Sequence, residues 1–370
     1  MIDRAHIKTV NTDSITHIYI GDALAADERL DINSIIDSVK VVFFDDSCVD
    51  AMLGDIEDVI ITDKYIYVMD RIGQNSVAIF DIDGHFVKRI PIGQGPGEVT
   101  GVYQINYDKY NKKLILSFGK GIAIYEENGD FVKNEILPLQ IAKFLCTETG
   151  YICLQSPYTY NDHLCEHQEN SVMFVDREFR LKWSALPHFN YTAWAVPYEL
   201  LKTTEDYLYV DAFNDTIYSI DEKGVRAKYV IDLGPDMFPM EKANDRSYIK
   251  NWQLFDKVFT SSNYAHLAHY LETSTHQYFW VTYSQNGSYD FYRDKRSGNI
   301  VGGKTFLVND NVLPILVAPR YMSEDWFVMP CQICRWRFSS PLISKEANER
   351  MMQMEEESNQ VLFMFKLKRF

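Results

Sequence analysis

What this 370-residue chain has little of narrows its class before any motif is considered. Positive charge is short: 37 Lys and Arg stand against 52 Asp and Glu, for a net charge of −15. Nucleic acid needs clustered cations to displace its counterions, so a nucleic-acid partner is not expected, nor is an anionic membrane surface. Cysteine is sparse. Cys48, Cys146, Cys153, Cys165, Cys331 and Cys334 are scattered along a long chain, unlike the framework of a small disulfide scaffold. Cys331-Gln-Ile-Cys334 has the spacing of half a zinc site, but no second such pair exists and no His follows at finger spacing, so these thiols read as structural or free. No apolar run is long enough for a transmembrane helix, and Met1-Ile-Asp-Arg-Ala-His6 carries no signal peptide or lipobox. That beginning fits either a cytoplasmic protein or one whose leader is missing. A nucleophile elbow, His-Glu-x-x-His and Ser-x-x-Lys are all lacking, which excludes little, because a site assembled from several loops leaves no local motif.

Helical periodicity is scarce too. In its place stand aromatics, 14% of the chain, and short runs of Val, Ile, Tyr and Phe broken by turn residues, a composition natural to strands. The pattern is clearest from Asp63 to Glu98, with strands predicted at 57–62, 65–70, 77–81 and 86–92. Asp83-Gly84 supplies a hairpin there, since Gly accepts positive φ without steric cost. Such a unit cannot bury both faces alone and needs copies stacked beside it. The copies follow at 103–107, 113–118, 122–126 and 131–137, where Asn128-Gly-Asp-Phe-Val-Lys133 repeats the device of Asp83-Gly-His-Phe-Val-Lys88. A looser third unit runs over 142–146, 151–155, 172–176 and 181–185, with a polar insertion between Pro157 and Asn170. A fourth occupies 198–203, 207–212, 216–221 and 227–233, and a fifth 267–272, 278–283, 289–294 and 300–305.

A sixth unit has strands at 313–318, 326–329 and 361–367 and lacks a fourth; residues 39–44 complete it most simply, tying the chain ends together. A further strand is expected at 16–20 and a short turn or helix at 31–37. Helical spacing marks two insertions, at about 245–260 and at 345–357, the second with an acidic, solvated face. The expected fold is therefore all-β: one six-bladed β-propeller of four-stranded blades spanning 1–370, its ring closed by N-terminal strand and its edges removed by closure.

The string Tyr65-Ile-Tyr-Val-Met-Asp70, Ser76-Val-Ala-Ile-Phe-Asp81 and Gly93-Gln-Gly-Pro-Gly-Glu98 resembles an NHL-like repeat. Across nearly its whole length the chain resembles a six-bladed β-propeller family common in Bacteroidetes-type gut bacteria. Asp37-Ser-Val-Lys-Val-Val-Phe43, Asn214-Asp-Thr-Ile-Tyr218, Ile231-Asp-Leu-Gly234 and Asn359-Gln-Val-Leu-Phe-Met-Phe-Lys-Leu-Lys368 carry the likeness. The resemblance implies a propeller and an extracytoplasmic protein, in the periplasm or at the cell surface. It implies no catalytic residue.

Several residues are candidates for a site. The glycine-rich loop Gly93–Glu98 has the look of a phosphate cradle, but a strand follows it where a dinucleotide fingerprint needs a helix, so it reads as a crossing between blades whose Gln94 and Glu98 rim a central channel. Asp70-Arg71 closes a strand, and an Asp there fixes neighbouring amides more often than it acts as a base. His163, Cys165, Glu166 and His167 alternate in the third unit's insertion, and His266 and His269 have a ligand-like spacing, yet both sets read better as ordinary solvated or core residues. Tyr158, Tyr160, Trp194, Tyr292, Arg293 and Arg320 offer stacking and ion pairing at one mouth of the channel. The ligand-binding set expected is Arg71, Gln94, Glu98, Tyr158, Trp194, Arg293 and Arg320. The function expected is a monomeric, non-enzymatic scaffold presenting its loops to a glycan, peptide or protein. The alternative is a metal-assisted hydrolase or lyase acting on a sugar acid or lactone, with calcium held by Asp and Glu in the central channel.

Overall fold

Strands here are short because the residue that ends each one also caps its turn. After the first strand of a blade comes a Thr. The Thr62 hydroxyl accepts the Tyr65 N–H and donates to the Tyr65 carbonyl, both at 3.0 Å. Thr203 does the same with Asp206, and Thr273 with His276. After the third strand comes an Asp. Asp81 Oδ1 accepts the N–H groups of Asp83 and His85 at 3.0 and 2.9 Å. Asp176, Asp221 and Asp294 each gather two N–H groups in the same way. Side-chain oxygens that satisfy turn amides this way make the hairpin the local minimum.

This computed structural model describes residues 5–25, 32–71, 73–155, 160–188, 198–211, 213–239, 241, 264–283, 287–304, 318–332 and 340–370. Six sheets of strands in sequential order form a six-bladed β-propeller, as the repeats require. The chain divides into two compact units, each holding three blades.

One unit spans Ile32–Leu139 and Val308–Arg369. Blade one is β4 (Ile56–Ile61), β5 (Tyr65–Asp70), β6 (Ser76–Asp81) and β7 (Phe86–Arg89); blade two is β8 (Gln104–Asp108), β9 (Lys113–Phe118), β10 (Gly121–Glu126) and β11 (Phe131–Ile136). Blade six combines β24 (Tyr321–Ser323), β25 (Trp326–Cys331) and β26 (Val361–Leu367) with β3 (Ile36–Phe43) from the N-terminal side. Val42 lies opposite Leu362 in that closing ladder. The cores are continuous apolar layers. Val42, Ile56, Val68, Phe80, Val328 and Leu362 share one, and Tyr67, Ile79, Val99, Leu116 and Tyr125 another. Each such side chain contributes roughly 1.5–3 kcal/mol on leaving water. Gly84 has φ of +93° in its hairpin, and a Cβ there would stand 2.1 Å from the Phe43 carbonyl oxygen, so the turn tolerates no larger residue. A short helix, α2 (Ile32–Ile35), precedes β3. Helix α3 (Lys345–Gln353) is capped by Ser344, whose hydroxyl accepts from Ala347 N–H at 3.1 Å, and it ends before the expected 357. Three successive carboxylates, Glu355 to Glu357, at the negative end of its dipole explain the early stop.

The other unit spans Met1–Asp31, Gln140–Leu307 and Phe370. Blade three is β12 (Lys143–Cys146), β13 (Gly150–Leu154), β14 (Asn170–Asp176) and β15 (Leu181–Pro187). Blade four is β16 (Tyr198–Lys202), β17 (Tyr207–Asp211), β18 (Thr216–Asp221) and β19 (Gly224–Asp232). Blade five is β20 (Ala265–Glu272), β21 (His276–Tyr283), β22 (Gly287–Asp294) and β23 (Ile300–Lys304). Two blades exceed four strands. β1 (His6–Ile7) adds parallel to β15 and β2 (Thr16–Tyr19) parallel to β19, covering outer edges that would otherwise be open. Ile18 and Ile20 enter the core between blades four and five, and α1 (Gly21–Ala25) adds Leu24. The helix expected at 245–260 lies outside the described residues, as does the strand expected at 313–318 apart from Ala318.

Candidate ligand site on the fifth blade

β16 and β20 are the first strands of neighbouring blades, the position a propeller turns toward its axis. On β16, Glu199 precedes Leu200 and Leu201, which pack into the cores on either side of blade four. On β20 the register slips between Leu267 and His269, a bulge that re-aims the imidazole. The two side chains meet: His269 Nδ1 lies 2.7 Å from Glu199 Oε1, with 16% and 18% of their side chains exposed. The other carboxylate oxygen, Glu199 Oε2, is buried and has no hydrogen-bond partner among the described residues. A buried carboxylate oxygen left so is costly unless something donates to it.

Trp280 is the next component. It pairs with His269 across the β20–β21 ladder, so both side chains stand on one face of the sheet. Trp280 is 37% exposed, whereas Tyr270, Tyr278, Phe279, Phe291 and Tyr292 of the same blade are fully buried. Behind it, Tyr278 lies edge-on to His269 at 6.2 Å and donates its hydroxyl to Asp290, the residue opposite Trp280 on β22. Burial, together with the charge of Asp290, pushes the Tyr278 hydroxyl well above its ordinary pKa, so it remains a donor. An open aromatic face, an imidazole and a carboxylate acceptor thus stand together on a rigid backing. Rings of this kind stack on the C–H face of a sugar, and a carboxylate oxygen accepts from its hydroxyls.

The end of β20 is held by a buried charge. Glu272 accepts from Lys228 Nζ at 3.0 Å, Lys295 Nζ at 2.8 Å, Tyr229 at 3.0 Å and Tyr270 at 2.7 Å. Burial opposes both charges, but the attraction prevails: Glu272 is held below its ordinary pKa and Lys228 above. Three of these bonds fall on Oε1 and one on Oε2 of a side chain only 1% exposed, so Glu272 braces the site from within the fold.

Five residues of the expected binding set fall among the described ones. Arg71 is exposed and pairs with Glu57 at 2.7 Å. Arg293 donates to Gln277 at 2.7 Å. Arg320 is exposed, its main-chain N–H bonded to the Val328 carbonyl, and Gln94 is exposed in its loop. Glu98 folds back into the glycine-rich loop, where Oε2 accepts the Gly95 N–H at 2.8 Å and fills the seat an anion would take. That internal carboxylate explains the glycines, since a Cβ on Gly93 would stand 1.9 Å from it. Tyr158 and Trp194 lie outside the described residues, and Tyr160 is exposed while Tyr292 is fully buried. Asp70 does fix amides: its carboxylate accepts from Gly54 and Gly73 at 3.1 and 2.9 Å and faces Arg89 Nη1 at 3.5 Å. His167 turns inward to Ser184 at 2.8 Å while His163 and Cys165 face solvent, so that insertion gathers no ligands. His266 packs against Phe213 with the rings tilted and their centroids 5.3 Å apart. Among the described residues no group of three or more His, Cys, Asp or Glu stands close enough to hold a metal ion.

Glu199 and Trp280 were not legible as a site in the sequence. The available signal was one carboxylate inside an otherwise apolar first strand, Tyr198-Glu-Leu-Leu201, where packing alone would place none.

Residues 15–366 match the family described as "Domain of unknown function (DUF4934)". The chain belongs to the DUF4934 family. Among solved structures, a "Putative exported protein" from Bacteroides fragilis is similar at 15% identity, with a TM-score of 0.76 over 96% of this chain and 100% of that one. That likeness is one of fold. The Pan2 WD40 domain of Neurospora crassa matches at 13% identity over 70% of this chain and 66% of its own, with a TM-score of 0.35. Apo AztD from Citrobacter koseri matches at 11% over 72% and 69%, with a TM-score of 0.38; neither bears on the argument. No curated protein matches the sequence.

Proposed function

We propose that this DUF4934 propeller is a non-enzymatic, extracytoplasmic binding protein that takes a neutral glycan at Trp280, His269 and Glu199. The observation that carries the reading is the exposed Trp280, paired across the ladder with His269, together with the Glu199 carboxylate on that imidazole, whose Oε2 has no donor among the described residues. A sugar supplies both needs, an apolar ring face for the indole and a hydroxyl for the oxygen. The placement outside the cytoplasm rests on the name of the similar Bacteroides fragilis protein and on the resemblance of the blades to NHL-like propellers of such bacteria. Asp70, Glu98 and Glu272 are occupied by the fold itself, whereas Glu199 Oε2 has no donor among the described residues.

The test is a glycan array probed with the wild-type chain, Trp280→Ala and Glu199→Gln, with a peptide array alongside. Binding to glycans that both variants lose supports the proposal. Binding confined to peptides, or glycan binding that neither variant alters, overturns it.

A further inference from the structure

Among the described residues, blades three and four carry β1 and β2 on their outer strands, whereas the sheet of blade two ends at β11, as those of blades one, five and six end at their fourth strands. β11 is a poor strand to leave bare. Phe131 and Val132 are exposed, Val132 at 42%, and Ile136 is 83% exposed. It carries no Pro and no bulge within its last four residues to discourage pairing. Which main-chain groups it offers follows from the register. The Leu137 N–H donates to the Lys120 carbonyl. Hydrogen bonding alternates along an antiparallel ladder, so Glu135 and Lys133 also turn their main chain toward β10. Asn134 and Ile136 turn theirs to the open edge, and the bulge at Val132 ends the alternation there.

That edge is complementary to itself. Set a second copy of β11 antiparallel to the first, with the two-fold axis at Asn134. Asn134 then faces its own copy as a hydrogen-bonded pair, with the exposed Ile136 flanking it at the seam. On the other sheet face Lys133 comes opposite Glu135. Opposite charges meet, and the open N–H and C=O groups of Asn134 and Ile136 are those that the pairing uses. Within one chain Lys133 Nζ already lies 3.0 Å from Glu135 Oε2, so the copies would join into an alternating four-charge network. We propose that the outer edge of blade two is the interface of a symmetric homodimer, paired antiparallel through β11 about Asn134. A monomer is what the sequence alone leads one to expect; the exposed, self-matching edge argues for a second copy.

Sedimentation equilibrium of the full chain across the micromolar to near-millimolar range tests this. The wild type is expected to dimerise. Lys133→Glu sets like charges against each other across the axis and is expected to weaken the dimer by about tenfold or more. The swap Lys133→Glu with Glu135→Lys restores the cross-strand pairs and should restore the dimer. Asn134→Pro removes an N–H that faces the open edge, leaves the β10 ladder intact and should yield monomers that melt like the wild type. A wild-type chain that stays monomeric overturns the proposal. So does a dimer indifferent to Lys133→Glu and Asn134→Pro, or one that the charge swap fails to restore.

Discussion

Glu272 on β20 and Lys228 on β19 stand 3.0 Å apart, with the Glu272 side chain only 1% exposed. Lys295 completes the arrangement from the other side at 2.8 Å. The partners are unequal. Losing Lys228 leaves Glu272 bonded to Lys295, Tyr229 and Tyr270, whereas losing Glu272 takes the buried counter-charge from two ammonium groups at once, leaving Lys228 to Asp206 at 2.7 Å and Lys295 to the more distant, exposed Glu205 at 3.8 Å. Glu272→Ala is therefore expected to cost about 3–5 kcal/mol, and Lys228→Met clearly less. Urea unfolding of both variants measures the difference, and equal losses would contradict the assignment of Glu272 as the hub.

Asp70 plays a comparable part in blade one. It holds the N–H groups of Gly54 and Gly73 and faces Arg89, whose own Nη2 donates to the Met52 carbonyl at 2.6 Å. Asp70→Ala leaves Arg89 buried without its counter-charge, for an expected loss of about 3 kcal/mol or more. Asn in its place keeps acceptor oxygen for the amides and should recover part of that. Arg71→Ala, one residue on, removes only an exposed pair with Glu57 and should change stability by less than about 1 kcal/mol. Thermal melts of the three variants rank them.

Stability should fall in mild acid. Burial lowers His188 and His266 from 6.5 to about 4. Between those values the unfolded chain binds a proton that the folded imidazole refuses, so acid favours unfolding. Each residue's contribution is intact above pH 6.5, erodes as pH falls, and is lost by about pH 4. The slope is at most about 1.4 kcal/mol per pH unit for each histidine. Denaturant titrations through that window check it, and His188→Phe should reduce the slope by about half.

The blades were legible because their signals are local. Asp83-Gly84 and Asn128-Gly129 announce their hairpins, and 39–44 was the natural completion of a blade short of one strand. A strand at 16–20 was legible, but neither its parallel addition nor β1 was, because those pairings run through main-chain groups that any sequence possesses. The binding residues were harder still. Gln94, Glu98 and Arg293 look available in the sequence, yet Glu98 and Arg293 are spent on Gly95 and Gln277, and only the fold shows it. Glu199 and His269 lie 70 residues apart and meet because neighbouring first strands do.

The account stands most directly on a titration. An oligosaccharide that the array identifies is added to the wild type, Trp280→Ala and Glu199→Gln while the heat of binding is recorded. Loss of a hydrogen bond to a charged acceptor is worth about 1.5–3 kcal/mol, or roughly ten- to a hundredfold in affinity. The account predicts a loss of that size for Glu199→Gln, a similar or greater one for Trp280→Ala, and melting temperatures unchanged in both. Wild-type affinity retained by both variants would contradict it.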